Sequence, residues 1–141
     1  MSFAPYLSFQ GNAAEAFATY ASIFGGTPQV MTFSEVPDGG PPGLPDAQRD
    51  WAIHVSLQTD EDGLLMASDM PPQFGGVPQA GVWVSVTRPD EAAARALYQR
   101  LAEAGEETMP FGPTFFASGY GMCRDRFGTH WMVSVGSTPL R

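Results

Sequence analysis

Pro5-Tyr6-Leu7-Ser8-Phe9-Gln10-Gly11-Asn12, running on into Ala13 to Phe24, is the stretch that decides the fold. It reads as a strand, a tight turn and a helix. Val82-Trp83-Val84-Ser85-Val86, then Pro89-Asp90, then a helix-like run through Leu97 and Tyr98, reads the same way. At one shared offset Asn12 matches Asp90, Tyr20 matches Tyr98, and Tyr6 matches Val84. Internal repetition changes the reading of a whole chain. Two copies are too few for a solenoid, so they indicate a duplicated domain with its site between the halves.

Between these copies the rest of the plan is legible. Asn12 is placed to accept from the first free amides of the helix, and Glu15 gives a capping-box-like start. Ala13, Ala16, Phe17, Tyr20 and Phe24 recur at helical spacing and form its buried face, with Gly25-Gly26 as the stop. Gln29 to Ser34 reads as a strand. Glu35 to Asp46, dense in Pro and Gly, reads as a long loop, either a lid or a solvated excursion. Trp51, Ile53, Val55 and Leu57 alternate with Ala52, His54, Ser56 and Gln58, a strand with two different faces. Asp60 to Gly63 is a hairpin turn, and Leu64 to Asp69 is the returning strand. Met70 to Gln79 reads as a linker.

The second half repeats the order. Thr87 or Asp90 caps a helix with Ala94, Leu97 and Leu101 on one stripe, and Gly105 ends it. A short strand through Thr108 and Met109 leads to Phe115-Phe116. Strands through Tyr120 and Met122 and from Thr129 to Val135 follow, joined at Arg124 to Gly128. The closing hairpins also correspond, Gly63 with Gly128, which matches Met66 to Trp131 and Ala67 to Met132. The fold class is α+β, strand–helix–three strands twice, with modules at 1–69 and 80–141 and the linker at 70–79.

Composition narrows the function. The chain has 141 residues, 43% hydrophobic and 16% charged, as in an ordinary globular protein. Its net charge of −8 and unclustered basic residues argue against nucleic acid and anionic membrane as partners. The single cysteine, Cys123, permits no intrachain disulfide and suits a reducing, cytoplasmic setting. It reads as a buried inert thiol. No signal-peptide pattern or membrane-length apolar run is present.

The ordered set Pro5 to Asn12 with Ala16 and Tyr20, Phe24-Gly25, Ile53-His54-Val55, Leu65 to Asp69, Thr114-Phe115-Phe116, Gly119-Tyr120-Gly121, and Asp125 to Gly128 with Trp131 resembles the vicinal-oxygen-chelate superfamily. That superfamily holds glyoxalases, bleomycin-resistance proteins and extradiol dioxygenases, and the resemblance is to its PhnB-like branch. It implies two βαβββ modules, each curling a mixed sheet around a shared concave cavity. It also implies that metal-dependent members place four ligands on the first and last strands of the modules. Those positions fall here on Pro5, Ala67, Trp83 and Met132, none of which ligates a hard divalent ion. A one-residue slip does not restore the set, so no standard metal site is expected.

If Ala67 faces the cavity, Leu65 and Asp69 do too, and His130 and Ser134 accompany Met132. His54 and Ser56 lie opposite the apolar face of their strand. The candidate catalytic cluster is therefore His54, Asp69 and His130, with Ser56 beside it. Such a group suits proton transfer or a divalent metal at a non-standard site. The bland alternatives are that His54 bonds a neighbouring strand, His130 lies on the surface, and Asp69 caps a turn. Asp125 is read as bonding local turn amides. Ser56, Phe115, Phe116, Tyr120 and Met132 are candidate ligand-binding residues. Trp131 either joins them or packs under a helix and leaves that place to Trp83.

Two functions are carried forward. One is a protein that binds a small molecule in the inter-module cavity without the usual metal or any cofactor, for which a cationic aromatic ligand suits ring and carboxylate contacts. The other is a lyase, isomerase or oxygenase of the same superfamily using a relocated metal or His–Asp acid–base chemistry. Methyl transfer lacks a Gly-rich nucleotide-binding loop, and phosphonate chemistry lacks a converging pair of basic residues. A homodimer is expected.

Overall fold

The computed structural model describes residues 2–136. The chain divides into two compact units, Met1–Gln79 and Ala80–Arg141. The first contains β1 (Tyr6–Phe9), α1 (Ala13–Phe24), β2 (Gln29–Thr32), β3 (Ala52–Thr59) and β4 (Gly63–Asp69). The second contains β5 (Val84–Arg88), α2 (Glu91–Ala102), β6 (Glu106–Gly112), β7 (Tyr120–Arg124) and β8 (His130–Val135). Strand order is β1-β4-β3-β2 in one sheet and β5-β8-β7-β6 in the other. β1 runs parallel to β4 and β5 parallel to β8, and all other pairs are antiparallel. The expected strand–helix–three strands therefore occurs twice, with each helix carrying the crossover that parallel pairing requires.

Each sheet buries one face against its own helix. In the first unit Leu7, Phe9, Val55, Leu57 and Ala67 meet Ala13, Ala16, Phe17 and Tyr20 of α1. Phe17 stands edge-on to both Phe9 and Tyr20. Burying a side chain of this size contributes about 1.5–3 kcal/mol. In the second unit Val86, Cys123, Trp131 and Val133 are buried on the side of Ala94, Leu97, Tyr98 and Leu101 of α2. The intervening residues of every strand point away from the helices, so each sheet has a helix-free face.

This pleat corrects the assignment of faces. Ala67 and Asp69 are buried on the α1 side of β4, while Met66 is half-buried on the other side with Ser68. Asp69 therefore does not join His54, because residues an odd number apart on paired strands in this register fall on opposite faces. The repeat is in phase for the helices, where Ala16 and Tyr20 match Ala94 and Tyr98, all four buried. It is out of phase by one residue in the strands. Tyr6 pairs with Met66, and the corresponding pair is Ser85 with Met132, so Tyr6 answers to Ser85 and Met66 to Met132. The turns before the helix and before the last strand absorb the difference.

The Pro/Gly-rich region between β2 and β3 is anchored rather than a free excursion. Phe33 and Leu44 are buried, short 3-10 turns span Phe33–Glu35, Pro37–Gly39 and Asp46–Gln48, and the Phe33 amide donates to the Trp51 carbonyl at 3.0 Å. Residues 70–79 belong to the first unit. The Met70 amide donates to the Phe9 carbonyl at 2.7 Å, and the Gln10 side-chain amide donates to the Val77 carbonyl at 2.9 Å.

Candidate functional site

The two buried aspartates hold the fold together, Asp69 through backbone amides and Asp125 through backbone amides and one indole. Asp69 Oδ1 accepts from the amides of Gly11 at 2.8 Å and Ala13 at 3.0 Å, and Oδ2 accepts from Ala52 at 2.8 Å. Asp69 thus supplies the N-terminal cap of α1 that the sequence assigns to Asn12, whose own side chain makes no cap bond. In α2 the cap is Asp90, as expected, accepting from Ala93 at 2.8 Å. Asp125 Oδ1 accepts from the amides of Phe127 and Thr129, and Oδ2 from the indole of Trp131 at 2.8 Å. These three donors fix the Asp125 carboxylate in its turn and hold Trp131 under α2.

Cys123 is fully buried. Burial first, then the carboxylates of Asp125 and Glu107, push its thiol up to about 12. A thiol so placed stays protonated and is a poor nucleophile. Tyr98 donates to the carbonyls of Met109 and Met122, and burial with the Glu107 carboxylate holds its phenol above the ordinary range.

The helix-free faces carry the remaining candidates. In the first unit one row across the sheet is Tyr6, Met66, Ser56 and Gln29, each opposite the next. The neighbouring row holds Ser8 opposite Ser68, and Met31 opposite His54. The Tyr6 hydroxyl lies 2.9 Å from His54 Nδ1, and the two rings are 5.7 Å apart between centroids. His54 and Ser56 therefore share a face, and Asp69 is on the other. Tyr6 is the residue that sequence reasoning missed. Its alternation with the buried Leu7 and Phe9 was the available signal.

In the second unit His130, Met132 and Ser134 share a face with Arg124, Met122 and Tyr120, to which they stand directly opposite. Trp83, just before β5, sets its ring edge-on to His130 at 4.7 Å. His130 Nδ1 is buried and has no hydrogen-bond partner among the described residues. Phe116 stands edge-on to Tyr120 at 5.0 Å and to Phe115 at 5.1 Å. Phe115 itself is fully exposed. Trp131 is buried on the α2 side, so Trp83 takes the place on the helix-free face.

The four positions of the superfamily's metal ligands do not suit a metal. Pro5, Ala67, Trp83 and Met132 offer no hard donor. The residues that actually point to the helix-free faces beside them, Tyr6, Met66, Ser68 and Ser85, supply no imidazole or carboxylate. Among the described residues no group of three or more His, Cys, Asp or Glu could hold a metal ion. Among them, too, no helix is long and apolar enough to cross a membrane.

Known proteins agree with this architecture. The family model of the Glyoxalase/Bleomycin resistance protein/Dioxygenase superfamily matches residues 2–133. Protein YjdN of Escherichia coli (strain K12) is 28% identical over 145 residues, covering 96% of this chain and 95% of that one. The crystal structure of PA1353 from Pseudomonas aeruginosa is 38% identical with a TM-score of 0.83, covering 98% of this chain and 99% of that one. A PhnB protein from Bacillus cereus, 21% identical over 96% of this chain and 100% of its own, has a TM-score of 0.74 and shares the fold. On sequence and fold together, the chain belongs to the Glyoxalase/Bleomycin resistance protein/Dioxygenase superfamily.

Proposed function

We propose that the protein binds a small molecule on the helix-free faces of its sheets and does so without the superfamily's usual metal. The observation that carries the reading is the make-up of those faces. Each holds one of the chain's two histidines against an aromatic partner, Tyr6 for His54 and Trp83 for His130, among hydroxyls and thioethers. Apolar and aromatic side chains with a few placed polar groups are the ordinary lining of a ligand site. The unpartnered Nδ1 of His130 adds support, since a buried polar atom left unpaired costs about 1–3 kcal/mol and calls for a reason.

The test is metal analysis of protein purified without chelator, together with His54→Ala and His130→Ala. Trace metal is the expected result, with tryptophan fluorescence responding to small aromatic probes in the parent and losing that response in His130→Ala, which removes the ring packed on Trp83. Stoichiometric zinc, nickel or manganese that disappears in either variant overturns the metal-free reading.

The enzymatic alternative keeps one supporting observation, the Tyr6–His54 hydrogen bond, which could move a proton at Nδ1. It loses its carboxylate, because Asp69 lies on the opposite face with its oxygens occupied. We also propose a homodimer, since symmetric pairs are the commonest soluble assembly. Light scattering that finds only monomer at micromolar concentration refutes it. A reducing compartment, the cytoplasm, suits the free Cys123.

A further inference from the structure

Tyr6 sits on β1 and His54 on β3, with β4 between them, so their hydrogen bond spans a whole strand. Tyr6 remains 52% exposed while doing so. Its ring therefore forms a strap across the helix-free face at the level of Met66 and Ser68 rather than a piece of core.

The bond has a preferred direction. A phenol donates more readily than it accepts, because its oxygen shares electron density with the ring. With Tyr6 donating to Nδ1, a neutral imidazole must carry its proton on Nε2. His54 then presents an N–H donor, and Ser56, two residues on along β3, presents a hydroxyl on the same face. No acidic side chain lies in either row of this face, and the nearby Asp69 is buried behind it. The acidity of the chain, net −8, is therefore not concentrated where a ligand would sit. This removes the carboxylate contact that a cationic aromatic ligand requires.

We propose that the first unit's helix-free face recognises an aromatic carboxylate, its oxygens taken by His54 Nε2–H and the Ser56 hydroxyl and its ring laid against Tyr6 and Met66. Tyr6 is a positioning residue, setting the tautomer of His54. The proposal rests on the small-molecule reading above and assigns that reading its ligand class.

The test uses the full chain labelled with 15N-histidine, with His54→Gln to assign the two imidazoles, and benzoate and benzylammonium as probes of like shape and opposite charge. The free protein is expected to show His54 as the Nε2–H tautomer. Benzoate is expected to shift its Nε2 saturably at about 10 mM or below, and benzylammonium to leave it unmoved. Tyr6→Phe is expected to mix the tautomers and weaken benzoate about three- to tenfold, the loss of one neutral hydrogen bond. An Nδ1–H tautomer in the free protein overturns the proposal. Benzylammonium binding at this face with benzoate silent overturns the ligand class while sparing the small-molecule reading. Silence of both probes overturns the proposal and the use of this face for binding.

Discussion

Asp69 Oδ1 and the amide of Ala13 are joined at 3.0 Å across 56 residues of chain, so the last strand of the first unit caps the helix that follows its first strand. The same carboxylate holds Gly11 and, through Oδ2, Ala52. One buried side chain thus ties the β1–α1 turn to the starts of α1 and β3. Asp69→Ala is expected to lower stability by on the order of 3 kcal/mol, because two buried amides and one part-buried amide lose a charged acceptor at once. Asn12→Ala is expected to cost less than about 0.5 kcal/mol, since Asn12 makes no cap bond, whereas Asp90→Ala in α2 costs about 1 kcal/mol. Urea midpoints at unchanged m check all three. A cost for Asn12→Ala equal to that of Asp90→Ala would show that Asn12 is a cap after all.

Gly25 and Gly26 make a sharper pair than their adjacency suggests. Both have positive φ, so alanine is strained at either. A Cβ on Gly25 meets nothing within 4 Å, while one on Gly26 falls 2.4 Å from the Gln58 carbonyl oxygen of β3. Backbone cannot swing aside as a side-chain tip can. Gly25→Ala is expected to cost about 1 kcal/mol and Gly26→Ala at least 2–3 kcal/mol. Equal melting temperatures for the two variants contradict the close approach of the α1–β2 turn to β3.

How much of this was legible depended on which period each segment obeys. The helices announce themselves through Ala16, Tyr20, Ala94 and Tyr98, whose spacing survives a common offset and whose burial follows. The strands do not. A period of two turns a one-residue slip into a reversal of faces. Matching Met66 to Trp131 rather than Met132 therefore placed Ala67 and Asp69 on the wrong side of β4. His54 and Ser56 share a face, as do His130 and Met132, because each pair sits two residues apart on a single strand. Tyr6 reaches His54 across β4, a relation set by strand order β1-β4-β3, which alternation along one strand does not encode.

Alkaline pH is expected to destabilise the second unit through two neutral acids. Cys123 is raised from 9.0 to about 12, and Tyr98 is raised above its ordinary value of 10.0, so the folded chain holds protons that the unfolded chain releases. The Cys123 contribution is fully present below about pH 9 and is lost as pH rises toward 12. Each group limits the slope to about 1.4 kcal/mol per pH unit. Chemical denaturation between pH 8 and pH 11 checks this, with Cys123→Ala expected to flatten the first part of the decline. A thiol reagent at pH 8 is expected to react only after unfolding by denaturant, and rapid labelling of the native protein contradicts the burial of Cys123.

His130→Phe separates stability from binding. Its buried Nδ1 has no partner among the described residues, so the folded state carries the desolvation cost of that atom without the return of a hydrogen bond. A phenyl ring keeps the edge-on packing against Trp83 and removes the orphaned nitrogen. The variant is expected to unfold at an equal or higher denaturant midpoint, by up to about 1 kcal/mol. If His130 is retained for a ligand, the same variant loses the probe-induced change in tryptophan fluorescence, the usual exchange of function for stability. A clear loss of stability in His130→Phe would show that Nδ1 is satisfied in solution, and the second unit's claim to a binding face would lose its support from that atom.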